Sequence, residues 1–216
     1  NFKAVMLGEI NMKSSTNKYN FNSSINFADL NKLNLVKRDS VSIFKGDISL
    51  KSNGTSIDNL NGELNLNNSY YTNENKIFKI DDLKIVSHFD DLKNRTITFN
   101  SLNYISGELY GNFKFKELIT LAKNDLGIIY TNYTPLKVSK NQFFDFNLKI
   151  TDNFLQIFYP RLKVNKNLIA NGRVSSNEED FKMNLKSSKM NYNNTDFENV
   201  DFKLDNANPF YNAFVK

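Results

Sequence analysis

The chain lacks cysteine and tryptophan and has one histidine, three prolines and eight glycines among 216 residues. Without cysteine there is no disulfide framework and no thiolate metal site. A single histidine, His88, cannot build an imidazole cluster or pair. So few glycines exclude a collagen repeat or a flexible linker protein. Long apolar runs are also missing: Ala4–Leu7 and Leu126–Tyr130 fall far short of the ~20 residues of a membrane-spanning helix. The first residues show no signal-peptide pattern, and patterned sequence begins almost at once. The expectation is a piece of a longer protein, with any membrane anchor outside it.

What is present is 40% hydrophobic residues, 13% aromatic residues and a formal charge of +5. The lysines alternate with apolar neighbours along the chain and do not gather in a stripe, so no nucleic-acid partner is expected. Asparagine is abundant and arginine scarce (Arg38, Arg95, Arg161 and Arg173), a composition that fits an AT-rich genome. The sequons at Asn53, Asn94 and Asn132 are read as by-products of that richness.

Alternation with period two dominates. It is clear at Tyr19–Phe27, Gly46–Leu50, Gly62–Asn67, Phe78–Ile80, Leu83–Ile85, Thr96–Phe99, Gly111–Phe115, Phe144–Ile150, Phe181–Lys186 and Val200–Leu204. Each run sends apolar side chains to one sheet face and Lys, Asn, Asp or Ser to the other. Short polar stretches at Ser52–Gly54, Asn67–Ser69, Asn73–Asn75, Asp90–Asn94, Asn165–Asn167 and Ser175–Asp180 read as turns, which makes successive strands antiparallel neighbours. A recurrent Gly-polar-apolar-polar-apolar pattern (Gly8, Gly46, Gly62 and Gly111) suits bulges or bends near strand starts. Helical patterning is confined to residues 115–124, with a single turn at Ala28–Leu33.

The fold class expected is all-β: an elongated, curved antiparallel sheet, open as a groove, with one or two short helices. Residues 1–216 form one segment of that sheet, with a short helix near 116–124. Two short helices cannot cover ~14 strands, which at ~4.8 Å spacing span roughly 65 Å. The apolar face must therefore meet a second sheet, close into a barrel, or line a groove filled by something else apolar.

The segments Val41–Gly54, Ile57–Leu66, Tyr70–Tyr71, Phe78–Ile85, Ile105–Leu118 and Phe144–Gly172, in that order, resemble the TamB family of the Bacteroidetes type, within the AsmA-like superfamily. The resemblance covers most of the chain, though its GxLxL motifs are diffuse. It implies a β-taco groove that carries phospholipid across the periplasm between inner and outer membranes, anchored in the inner membrane outside this segment. It also implies partnership with a TamA-like outer-membrane barrel of the Omp85 class in outer-membrane biogenesis. The family has no catalytic motif, so no enzyme activity and no cofactor are expected.

The candidate groove-lining residues are the apolar-phase positions Ile48 and Leu50, Leu64 and Leu66, Ile85, Ile97 and Phe99, Leu109, Phe113 and Phe115, Phe146, Leu148 and Ile150, and Phe202 and Leu204. Catalytic readings are weaker. His88 beside Asp90 and Asp91 lacks a nucleophile elbow. Asp81–Asp82 and Asp90–Asp91 point to opposite faces if extended, so neither doublet is a carboxylate pair. Glu178–Asp180 lacks calcium-loop spacing. The alternative function is a structural or binding β-sandwich, an adhesin-like surface domain with a dry core. An outer-membrane barrel fits less well, because the runs are short and aromatic girdles are absent.

Overall fold

A computed structural model describes residues 1–12, 16–74, 76–101, 103–127, 132–177 and 181–205, with the backbone of 212–215. The end of the Leu126–Tyr130 run and the Glu178–Asp180 cluster lie outside the described residues. The strands are β1 (Phe2–Asn11), β2 (Lys18–Asp29), β3 (Ser42–Asn53), β4 (Asn61–Asn73), β5 (Ile77–Ile80), β6 (Leu83–Phe89), β7 (Arg95–Asn100) and β8 (Ile105–Asn112). They continue as β9 (Phe143–Thr151), β10 (Leu162–Val164), β11 (Asn167–Ser175), β12 (Lys182–Tyr192), β13 (Thr195–Asp205) and β14 (Asn212–Val215). Two short helices, α1 (Leu118–Gly127) and α2 (Asp152–Phe158), interrupt them.

The architecture is the expected one, a mostly antiparallel open sheet with two short helices. The strand order is β1-β2-β3-β4-β6-β7-β8-β9-β11-β12-β13-β14, with β5 added to β4 and β10 to β12. It is a meander, with short turns at most connections and the helices in the β8–β9 and β9–β10 connections. Asp90 accepts the Lys93 amide while its own amide bonds Asn94, both at 3.0 Å, closing the β6–β7 hairpin. The chain forms two compact units, residues 1–87 with 99–104, and residues 88–98 with 105–216.

In the first unit the ladders contain an aligned set of bulges. β2 carries an extra residue between Ile25 and Ala28 opposite Gly46 and Phe44. β4 carries one between Asn67 and Tyr70 opposite Asp47 and Lys45. The β1–β2 register slips at Lys3/Ala4, opposite the same stretch of β2. Bulges in neighbouring strands at one level bend the strands and increase their twist. The stretch Asn67–Ser69, expected as a turn, is instead this bulge: β4 passes through it because, on the far side, β3 pairs with residues 70–73 and β5 with residues 69–72. Asn68 takes the left-handed conformation (φ 48°) that the extra residue needs. Gly46 faces Ser69 so closely that a Cβ would sit 2.1 Å from Ser69 Oγ.

In the second unit, the expected strand Gly111–Phe115 ends at Asn112. Phe115–Glu117 form one tight helical turn leading into α1. The Glu117 carboxylate accepts the Ser139 amide and the Gln142 side-chain amide, both at 2.7 Å. Its own position is thereby set, and these hydrogen bonds hold its carboxyl below the usual range, the Ser139 amide most of all. Residues 115–117 are drawn out of the strand direction by these bonds. α1 packs on β11, burying Leu121 among its neighbours, while Asp125 accepts the Ser175 amide at 3.0 Å. The Asn124 side chain holds residues 133–136, accepting from Tyr133 Oη and the Leu136 amide (both 2.9 Å) and donating to the Leu136 carbonyl (2.7 Å).

Helix α2 was not expected. At seven residues it is shorter than any window in which helical periodicity shows. Tertiary burial forms it: Leu155 joins Val164 and Leu168, with Ile150, Leu162, Leu185 and Met190 packed around them.

The second unit also supplies a test of backbone constraint. Gly107 in β8 has φ 123°, and a Cβ there would meet the Asn147 carbonyl oxygen at 2.0 Å. Gly107→Val should destabilise the unit by about 2–4 kcal/mol, from strain plus overpacking. Glu108→Ala beside it should cost under about 0.5 kcal/mol. Denaturant unfolding of the two variants measures both.

Candidate functional site: the apolar sheet face

Register decides which apolar side chains meet. In the first unit, Ser23, Ile48, Leu66 and Leu83 stand in one row across β2, β3, β4 and β6. Phe21, Leu50, Leu64 and Ile85 form the next row. The five candidates of this unit's β3, β4 and β6 are therefore neighbours on one face. All five remain half-buried, while Ser23 and Leu83 at the two ends of the first row are buried.

One end of this face is closed. Ala28, Tyr71, Phe78 and Ile80 are buried there, and the segment 30–41 is fastened beside them. The Tyr71 hydroxyl donates to Asp39 Oδ2 at 2.7 Å and lies 3.1 Å from Ser42 Oγ. Arg38 grips the same carboxylate through Nε at 2.7 Å. Arg38 is the main cause holding the Asp39 carboxyl below its ordinary range, with Tyr71 adding to it and burial opposing. Burial pushes the Tyr71 phenol up. Glu74 pins the same segment by accepting the Ser40 hydroxyl at 2.6 Å and the Val41 amide at 3.0 Å, together with the Ser40 amide.

In the second unit, two rows run across five strands. Leu109, Phe146, Gly172, Met183 and Leu204 form one, and Gly107, Leu148, Ala170, Leu185 and Phe202 the other. On one side lies the row of Gly111, Phe144 and Val174, which is buried with Phe181 where α1 packs on β11. On the other lie Ile105, Ile150 and Leu168, where Leu155 of α2 closes over. Between these covered rows, Leu109, Phe146, Leu148, Met183, Leu185 and Phe202 are half-buried. Leu204 and Ala170 are exceptions, buried within their rows.

The remaining candidates fall elsewhere. Phe113 lies beyond the end of β8 and is buried edge-to-face against Phe144, with ring centres 6.1 Å apart. Phe115, in the turn before α1, is exposed and is approached by the Arg95 guanidinium at 5.9 Å, while the same guanidinium lies 5.5 Å from the Phe89 ring. Neither belongs to the strand rows, because the chain leaves the sheet at Asn112. Ile97 is buried and Phe99 half-buried on alternate positions of β7. Met183, Leu185 and Ala170 complete the rows without having been singled out; the alternation of Phe181–Lys186 was the signal for the first two.

The opposite face is wet and charge-paired. Lys84 meets Glu63 at 2.7 Å, Arg173 meets Asp145 at 3.5 Å and Lys186 meets Asp201 at 3.6 Å. Asn184 donates to Asn171 across β11 and β12 at 3.0 Å. Such exposed, solvent-screened pairs add little to stability. A cavity of about 300 Å³ in the first unit opens on this polar side, lined by Val5 and Leu7 of β1 with Asn22, Ser24, Asp47, Ser49 and Asn67, as well as Ser23 and Ile48. Of the candidate lining residues only Ile48 borders it.

The carboxylates of the catalytic readings make local hydrogen bonds and an ion pair. Asp90 accepts the Asn94 amide at 2.8 Å and the Tyr110 hydroxyl at 3.1 Å. Asp81 pairs with Lys79 at 2.5 Å, and Asp82 accepts from Ser101 Oγ at 3.2 Å. His88 is exposed. Among the described residues no group of three acidic or imidazole side chains could hold a metal ion, and no helix is long and apolar enough to cross a membrane. Comparison with known family models, curated proteins and solved structures finds no match to this chain.

The Glu74 clamp carries a pH signature. Hydrogen bonds, the Ser40 hydroxyl first, lower its carboxyl from 4.5 to about 2. A lowered folded-state value stabilises the clamp fully above the ordinary carboxylate range and loses that contribution as pH falls through about 2. A carboxyl-detected titration should place the Glu74 midpoint near 2. Glu74→Gln should speed amide exchange at Ser40 and Val41 severalfold at neutral pH, and the difference from the parent chain should vanish towards the low midpoint.

Proposed function

We propose that the chain is a segment of a TamB-like lipid conduit, in which phospholipid acyl chains lie on the apolar sheet face and headgroups stay in water. The observation that carries this reading is the pair of half-buried apolar rows across five strands of the second unit, bordered by α1 and α2 and covered by neither. The first unit supports it with the same arrangement on β2, β3, β4 and β6.

The mechanism is passive. Removing a methylene from water contributes ~0.8 kcal/mol, so a dozen carbons half-covered by the face gain about 5 kcal/mol. That is enough to hold a chain and weak enough to release it. Lateral movement across the rows exchanges one set of Leu, Ile and Phe contacts for a similar set, with no covalent step. Direction then comes from the membranes at either end. The resemblance to TamB proteins extends the reading to an inner-membrane anchor and a TamA-like barrel of the Omp85 class as partners, in the periplasm of a bacterial envelope.

A photocrosslinking side chain at Leu148, on the apolar face, should yield phospholipid adducts in cells, while the same group at Lys149, on the wet face, should not. Leu148→Asp should deplete co-purified lipid in native mass spectrometry with the fold retained, because a charge on an open face stays hydrated but repels acyl chains. Absence of adducts at Leu148, or collapse of the fold in Leu148→Asp, would instead identify the face as the dry core of a structural or binding domain.

A further inference from the structure

The last turn of α2 and the strand after it carry side chains that neither the apolar rows nor the paired charges of the wet face account for. From Phe158 to Lys166 the chain reads Phe-Tyr-Pro-Arg-Leu-Lys-Val-Asn-Lys, with three cations and no carboxylate. The backbone of this stretch is held along its length. The Tyr159 amide donates to the Leu155 carbonyl at 2.8 Å, and the Leu162 amide to the Tyr159 carbonyl at 3.0 Å. The Asn165 amide donates to the Lys189 carbonyl at 2.8 Å. Between these bonds β10 pairs with β12, which sets Leu162 opposite Tyr192.

Leu155 and Val164 turn inward to Leu168. The aromatic side chains do not follow them. Phe158, Tyr159 and Tyr192 are 52%, 65% and 52% exposed, and Phe158 leans only on the neighbouring Phe154 ring, with centres 5.2 Å apart. The cations beside them are exposed as well. Among the described residues Arg161, Lys163 and Lys166 enter no ion pair. The carboxylates of the adjoining strand, Asp196 and Glu198, are already matched by Lys189 at 3.0 and 3.6 Å. This end of the unit therefore presents aromatic rings and uncompensated positive charge together.

We propose that the C-terminal turn of α2, with β10 and Tyr192, is an interfacial contact for a bilayer surface that carries anionic phospholipid. Rings with an apolar body and, in tyrosine, a polar tip sit well at the level of the headgroups. Arginine and lysine beside them meet the phosphates and the negative surface potential. A single-stranded nucleic acid also takes up rings and cations, but it favours a basic groove that follows its backbone. Here the three cations lie within nine residues, next to Phe158, Pro160 and Leu162, which offer a nucleic acid no hydrogen bond. The contact rests on these exposed side chains and not on the apolar rows, so it is independent of the conduit reading.

The chain has no tryptophan, so a single introduced indole reports the contact without background. In the intact chain, the emission of Tyr159→Trp should shift to the blue on vesicles of equal parts phosphatidylglycerol and phosphatidylcholine, and that of Leu92→Trp should not. Leu92 is 81% exposed in the same unit but follows Asp90 and Asp91. Binding should be weaker by on the order of a hundredfold on phosphatidylcholine alone, and Arg161→Glu or Lys163→Glu added to the Tyr159→Trp chain should each weaken it on the order of tenfold at low salt. These positions are exposed, so the folded chain survives substitution. Vesicle contact at Tyr159 and lipid adducts at Leu148 are separate readouts, and either can fail with the other intact. The proposal is overturned if Tyr159→Trp shows no vesicle-dependent shift, if neutral vesicles or Leu92→Trp give an equal one, or if the charge reversals leave binding unchanged. Retention of the chain by single-stranded DNA and not by vesicles overturns it as well.

Discussion

The arrangement of the molecule depends on one constraint: a sheet whose side chains alternate strictly between apolar and polar has one face that water disfavours. Hydrogen bonding does not distinguish the faces, because the antiparallel ladders satisfy the backbone whichever way the side chains point. Burial does. The chain meets the constraint piecemeal, with the fastened segment 30–41 at one end of the first unit, and α1 and α2 on two borders of the second. Neither device is large. α1 buries Leu121 and α2 buries Leu155, and the rows between them remain half-exposed.

The polar interactions serve these covers more than the sheet itself. Arg38, Asp39, Tyr71 and Ser42 fasten a loop at the closed end of the first unit. Glu117, Gln142, Asn124 and Asp125 fasten a helix to the second. Each joins segments distant in sequence, which is why the burial of Tyr71 or Leu121 requires a polar anchor nearby. Along the wet face, by contrast, the ion pairs are solvent-exposed and weak, and their main effect is to keep that face hydrated.

Much of the sheet was legible because period-two alternation is a local signal. Phe144–Ile150 and Val200–Leu204 reappear as β9 and β13 in the phase their sequence implies. The failures share a cause. Asn67–Ser69 looks like a turn by composition, yet pairing on both sides of β4 carries the strand through it as a bulge. Phe113 and Phe115 keep the alternation of β8, but the hydrogen bonds of Glu117 to Ser139 and Gln142 turn the chain into α1 first. α2 forms because Leu155 finds Val164 and Leu168, residues its own segment cannot reveal.

The candidate surface divides the same way. That Ile48, Leu50, Leu64 and Leu66 lie in the apolar phase of the first unit, and Leu109, Phe146, Leu148 and Phe202 in that of the second, follows from alternation alone. Which of them stand in one row, and that α1 and α2 stop short of Leu109, Phe146, Leu148 and Phe202, depends on register and on where the covers are tied. The sequence by itself determined the strand class and the apolar phase, since these rest on neighbouring residues. Only the tertiary structure decided the bulge level, the rows, and which apolar side chains are sealed or left open, because those depend on contacts between residues far apart along the chain.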